Sequence, residues 1–153
     1  MSSEISPVDF SLPENFSRLV AEFQQGIFPH KYWKHQAHLI VAAWYCCHYE
    51  TNEALDQLRA AIQNYNNKNG IVNSATSGYH ETGTVFWTRI VAALLASSER
   101  NASFPQAAEI VLAYVAAHRN LLAEYYSFDP INSLEARKRW IEPDLKALPD
   151  RQP

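Results

Sequence analysis

Two histidines at the start of an apolar stretch have the residue type and spacing for chemistry. His35 and His38 lie in the segment 33–39, Trp-Lys-His-Gln-Ala-His-Leu. Side chains three positions apart on a helix share a face. Imidazole nitrogens carry protons near neutral pH and are common ligands of divalent metals. The spacing therefore predicts two imidazoles that face the same space.

A second cluster lies in the segment 78–84, Gly-Tyr-His-Glu-Thr-Gly-Thr. His80 and Glu81 fall in the first turn of a predicted helix, where free N–H groups and the positive end of the helix dipole favour a carboxylate. Thr84 follows His80 by one helical turn, and Trp87 extends that face. The predicted walls of a small-molecule pocket around these groups are Tyr79, Thr84, Trp87 and Tyr125.

Both clusters begin helices that we expect to be central, so their side chains could meet in one pocket. Our first hypothesis is a small metal-dependent enzyme acting on a small-molecule substrate, with His35, His38, His80 and Glu81 as ligands of Fe, Mn or Zn. Glu81 would be a fourth ligand or the general base, and His80 would be catalytic with it. An open metal position could activate water or oxygen, which leaves an oxidoreductase, a hydrolase and a lyase all open.

The same residues also fit two hypotheses without catalysis. They could form a hydrogen-bonded polar network at the floor of a small-molecule-binding pocket, because buried imidazoles need partners for their nitrogens. Alternatively, exposed aromatic residues could pair the protein with a partner or with a second copy in a homodimer. Glu81 separates the hypotheses, since a base or ligand needs the carboxylate whereas a binding module could use glutamine. Gly83 indicates close approach of a ligand or of another helix.

Composition restricts the class of protein. The chain has 153 residues, 47% of them hydrophobic and only four glycines, which favours one helical domain. A net charge of −3 argues against a nucleic-acid partner. The short basic run Arg137-Lys138-Arg139 is expected to be a solvated helix face. No signal peptide or membrane span is recognised, and Cys46 and Cys47 resemble buried thiols, so we expect a cytoplasmic protein without membrane contact.

The apolar periodicity predicts an all-α fold, a single-domain bundle over 1–153 with short loops. It contains five or six helices, over residues 13–25, 33–50, 51–67, 79–98, 103–125 and the short 133–141. The second and fourth are apolar on all sides and are therefore expected to be central. Residues 1–10 are expected to be a loose arm, and 142–153 a proline-rich tail.

The two motifs together resemble those of a group of small bacterial helical proteins that have no established activity. In that group, as here, an aromatic-x-His-x-x-His-Leu motif begins one helix and a Tyr-His-Glu-Thr motif begins another. The similarity covers roughly residues 28–151 and includes three further segments, Tyr125-Tyr126-Ser127, Glu135-Ala136-Arg137 and Pro149-Asp150-Arg151. Gly83 departs from the group's pattern, which has an apolar β-branched residue there. The resemblance implies a shape and a candidate site, without a reaction.

Overall fold

A computed structural model describes residues 9, 12–97 and 103–149. The expected N-terminal arm lies outside the described residues except for residue 9, as do residues 150–153 of the tail. The described part is all-α, with no strand. Its helices are α1 (Glu14–Gln25), α2 (His35–His48), α3 (Thr51–Lys68), α4 (Glu81–Ser97), α5 (Phe104–Ala117), α6 (Leu121–Tyr125) and α7 (Leu134–Lys138).

Local sequence signals explain several helix ends. Gly26 follows α1 with φ of 79°, a left-handed conformation that suits glycine and lets its N–H bond the last turn. Ser103 and Gln106 form the reciprocal capping box expected at the start of α5. On α1, the side chains of the predicted apolar stripe are all buried: Phe16, Leu19, Val20 and Phe23.

The core forms around α2, α4 and α5. Helix α2 packs against α1, α3, α4 and α5, which explains why it is apolar on most sides. The small residues Ala37, Ala43 and Ala108 are fully buried and allow these helices to approach closely. Helix α4 packs against α2, α3, α5 and α7. The central position expected for the second and fourth helices is confirmed, and α5 joins them.

The fifth predicted helix is two helices, so the described part has seven where five or six were expected. The ring Nδ1 of His118 donates to the Tyr114 carbonyl oxygen at 2.8 Å, the same oxygen that accepts its backbone N–H. His118 then leaves the helical conformation, with ψ of 66°. The turn directs Leu121 and Tyr125 of α6 into a second core cluster with Phe86 of α4.

The described part of the tail packs against the helices. Leu148 is buried in the second core cluster, and the Leu145 N–H donates to the Tyr125 carbonyl at 2.9 Å.

The expectation of two buried thiols was wrong in part, because Cys47 is exposed and Cys46 is half-buried. Among the described residues, no helix is both long enough and apolar enough to cross a bilayer.

Candidate functional site

A cavity of about 390 Å³ lies where the two histidine motifs meet. Its walls come from α2, α3, α4 and α7 and from the segments that precede α2 and α4. Four imidazoles border it, those of His30, His35, His38 and His80. Trp33 and Trp87 provide aromatic walls, and Leu39, Ala42, Leu58 and Ile62 provide apolar ones. The two clusters therefore occupy one site.

His35 and His38 line this cavity and pack against tryptophan rings. The His38 ring lies 4.1 Å from that of Trp33, and the His35 ring meets Trp87 edge-on at 4.7 Å, both between centroids. Neither imidazole has a hydrogen-bond partner within the described ranges. Both residues are exposed to solvent at the cavity mouth. Partial desolvation by the surrounding protein lowers the pKa of His35. Desolvation, with repulsion from His35 and His30, lowers the pKa of His38 to about 4.

His80, by contrast, uses both ring nitrogens to hold the fold. Nδ1 accepts the Gly83 backbone N–H at 2.9 Å, which caps an otherwise free donor of the first turn of α4. Nε2 donates to the carbonyl oxygen of Pro130 at 3.0 Å. Desolvation lowers the pKa of His80, and the repulsion from Arg137 adds to it. The ring is therefore a neutral Nε2–H tautomer with no lone pair left for another ligand.

Glu81 is bound by two protein donors. Arg59 of α3 donates to its carboxylate from Nη2 at 2.6 Å and from Nε at 3.1 Å, and the Tyr79 hydroxyl donates at 2.6 Å. Burial raises the pKa of Glu81, but the hydrogen bonds from Arg59 and Tyr79 outweigh it and lower the pKa overall. Burial and the bond to Glu81 raise the pKa of Tyr79. Glu81 is thus an ionised link between α3 and α4, which is poorly suited to accept protons.

The remaining residues of the segment 79–84 are also bound to protein. The fully buried Thr82 hydroxyl donates to the Arg139 carbonyl at 2.7 Å and accepts the Ile141 N–H at 3.0 Å. Thr84 Oγ1 donates to the carbonyl oxygen of His80, the residue before α4, at 2.8 Å. A Cβ on Gly83 would lie 3.2 Å from the His80 Nδ1, so glycine allows that ring its close approach. The segment acts as a structural clamp.

The predicted metal ligands do not form a ready-made ligand set. In the described ranges, no three His, Cys, Asp or Glu side chains come together as a group that could hold a metal ion. His80 offers no free nitrogen, and the Glu81 oxygens bind Arg59 and Tyr79. His35 and His38 retain free nitrogens, but a tetrahedral site needs three or four ligands. The four residues as arranged here do not fit a metal.

Three of the four predicted substrate-binding residues line the cavity: Tyr79, Thr84 and Trp87. Tyr125 lies elsewhere, buried in the second core cluster, where its ring meets that of Phe86 at 5.3 Å. Two basic residues that the sequence did not suggest also line the cavity, Lys34 and Arg137. Arg137 lies in the run expected to be solvated. No local pattern in the sequence distinguishes Arg137 from its exposed neighbours Lys138 and Arg139.

A second and larger cavity, of about 970 Å³, adjoins the first. It lies beside α5, α6 and the segment 126–131. His35, Leu39, Trp87 and Ile131 line both cavities. The edge-on pair of His35 and Trp87 therefore belongs to the wall between them.

The fold and cavity define the class as an all-α helical protein with an imidazole-lined cavity that is open to solvent. Comparison of the chain with protein-family models, with curated proteins and with solved structures gives no match. The similarity to the bacterial group with the two histidine motifs stays a prediction. The function is therefore argued from the site.

Proposed function

We propose that this protein binds a small organic molecule in the 390 Å³ cavity. His38, Trp33 and Trp87 would contact the ligand, and the segment 79–84 would hold the cavity in shape. One observation carries the proposal: the imidazoles of His35 and His38 border the cavity without hydrogen-bond partners among the described residues. The polar side chains of the segment 79–84 are already bonded.

The character of the cavity supports a small ligand. Its volume falls in the usual range for pockets that enclose a small molecule, and most of its lining is apolar or aromatic. The exposed His38 imidazole, which rests on the buried Trp33 ring at 4.1 Å between centroids, offers a ring surface on which a planar group could pack. The lowered pKa values of His35 and His38 keep both neutral at pH 7, so each can donate one hydrogen bond and accept another.

Ligand-observed NMR with a library of aromatic fragments tests this proposal. We expect a subset of fragments to bind, and we expect His38→Ala to weaken that binding at least about tenfold, the effect of one lost contact of about 1.4 kcal/mol. His48→Ala is the matched control, because His48 is on the same helix but lines neither cavity. The proposal would be contradicted if the fragments bound the His38→Ala and His48→Ala variants equally well, or if no fragment bound the wild-type protein.

The metal-dependent enzyme is the second candidate, favoured by the four imidazoles that border one cavity. It requires ligands other than the bonded His80 and Glu81, or a rearrangement of both. Metal analysis of untagged protein separates the candidates. We expect no stoichiometric Fe, Mn or Zn; stoichiometric metal that is lost in His35→Ala would establish the metal hypothesis instead. The cytoplasmic location and the homodimer stay predictions of the sequence.

A further inference from the structure

Arg137 is a cation at the wall of the cavity without an acidic partner. Its Nη1 donates to the Gly78 carbonyl at 3.1 Å, the one protein hydrogen bond of this side chain in the described part of the chain. Its Nε is enclosed by protein and has no partner there. No carboxylate of those residues forms an ion pair with it. The half-buried guanidinium therefore has most of its hydrogen-bonding capacity unused.

Three other arginines of the described residues, Arg18, Arg59 and Arg139, do pair with carboxylates. Arg59 pairs with Glu81 and Asp56, and Arg139 pairs with Glu135. None of the residues that line the 390 Å³ cavity is an Asp or a Glu, whereas Lys34 adds a second cation. A partly desolvated charge without a counter-charge costs free energy, and the planar guanidinium matches carboxylate and phosphate groups. The cavity wall thus combines an apolar surface with positive charge.

We propose, resting on the proposed function above, that the ligand is a small amphipathic acid whose carboxylate or phosphate group pairs with Arg137. The apolar or aromatic body lies against Trp33, His38 and Trp87, and the anionic head lies at the α7 side of the cavity. The terminal Nη groups of Arg137 bind the head, since its Nε is enclosed. A charge-assisted pair of this kind distinguishes an acid from its neutral amide.

Matched acids and amides test the inference with the full chain. The probes are benzoate with benzamide, 1-naphthoate with 1-naphthamide, and phenyl phosphate, each titrated by ligand-observed NMR. We expect at least one acid to bind about tenfold or more tightly than its amide, the size of one charge-assisted hydrogen bond. Arg137→Gln should reduce that preference to about twofold or less. Lys138→Gln, at the exposed neighbouring position, should leave it unchanged. A preference for phenyl phosphate over both carboxylates would identify phosphate as the head group.

The outcomes separate the two proposals. Acids and amides that bind equally, with binding weakened by His38→Ala, would overturn the anionic head and leave the small-molecule site standing. Probes that bind nowhere would overturn both. Loss of acid and amide together in Arg137→Gln would assign Arg137 a structural role and overturn the inference. If that variant fails to fold, the acid-to-amide ratio of the wild-type protein decides alone.

Discussion

At the residue scale, the histidines of the cavity fall into two kinds. His80 is saturated, because one ring nitrogen accepts from Gly83 and the other donates to Pro130. His35 and His38 pack against the rings of Trp87 and Trp33 and form no hydrogen bond with the described part of the protein. An imidazole with both nitrogens bonded holds structure, whereas one with free nitrogens beside a cavity can meet a ligand. The ligand-facing chemistry therefore belongs to the motif of α2.

Replacing the Glu81 carboxylate tests its structural role. Glu81→Gln removes the charge that pairs with Arg59, and we expect a loss of about 1–3 kcal/mol in the free energy of unfolding. Asp56→Asn is the control, because Asp56 contacts the same Arg59 at 3.0 Å with a side chain that is 76% exposed. It should cost less than about 1 kcal/mol, as exposed pairs do. Urea denaturation measures both; equal losses would contradict a special role for Glu81.

The lowered pKa of His38 predicts a dependence of stability on pH. The unfolded chain takes up a proton near pH 6.5 and the folded chain only near 4, so stability falls as the pH drops through that window. Repulsion from His35 and His30 adds to the opposition to that proton. The other titratable side chains that line the cavity are Lys34, Tyr79, His80 and Arg137. Because the ring retains accessible surface, we expect a loss of only about 1 kcal/mol.

His38→Gln should flatten this dependence between pH 6.5 and 4.5, measured as the midpoint of urea denaturation. His48→Gln serves as the control, since His48 is on the same helix and lines neither cavity. An unchanged slope in His38→Gln would show that the His38 ring is not held neutral by the fold.

At the element scale, the start of α4 connects this helix to three other parts of the molecule. Glu81 binds α3 through Arg59, and His80 binds the segment before α7 at Pro130. Thr82 binds the chain that follows α7, at Arg139 and Ile141. The start of a helix is suited to binding several segments, because its free N–H groups need hydrogen-bond partners and successive side chains point in different directions. The motif's polar residues are thus explained without catalysis.

Gly83 and His80 should be energetically coupled. Replacing glycine by alanine inside a helix usually raises the free energy of unfolding by about 1 kcal/mol. At Gly83, however, the new Cβ would lie 3.2 Å from the His80 imidazole, which is hydrogen-bonded at both nitrogens. We therefore expect Gly83→Ala to change the free energy of unfolding by less than about 0.5 kcal/mol in the wild-type protein. In a His80→Ala background, the same change should stabilise by about 1 kcal/mol. A double-mutant cycle by urea denaturation measures the difference, and equal effects in both backgrounds would contradict the coupling.

At the scale of the whole molecule, the C-terminal segment closes the second core cluster over α4. Leu148 is buried with Phe86 and Tyr126, and the Tyr126 hydroxyl donates to the Ile141 carbonyl at 2.7 Å. The Thr82 hydroxyl fastens the same segment by two further bonds. The helices and this segment therefore depend on one another for burial of the cluster.

Thr82→Val keeps the shape of the side chain and removes those two bonds. We expect a loss of about 2 kcal/mol, because the Ile141 N–H and the Arg139 carbonyl lose their partner. Hydrogen exchange should accelerate selectively in residues 139–149. Thr84→Val, which removes the local bond to the His80 carbonyl at the start of α4, should cost less and leave that exchange unchanged. Uniform acceleration along the chain would argue against a segment held by Thr82.

The sequence alone determined the helical class, most helix positions and the central place of the second and fourth helices. Helix positions follow from apolar periodicity and from capping residues, which are local features of the sequence. The apolar stripe of α1 and the Ser103–Gln106 capping box both lie where the sequence predicted them. It also singled out the two histidine motifs that border one cavity. The helix break at His118 was missed, because it depends on the packing of the next helix, α6, into the second core cluster.

Only the tertiary structure decided what each polar residue does. Partners such as Arg59 for Glu81, Pro130 for His80 and Arg139 for Thr82 are distant in the chain, and no local pattern encodes them. Arg137 faces the cavity because α7 packs on α4, so a basic run that looks solvated contributes one inward cation. Residue types specify what chemistry is available, whereas packing determines which donors and acceptors stay free for a ligand.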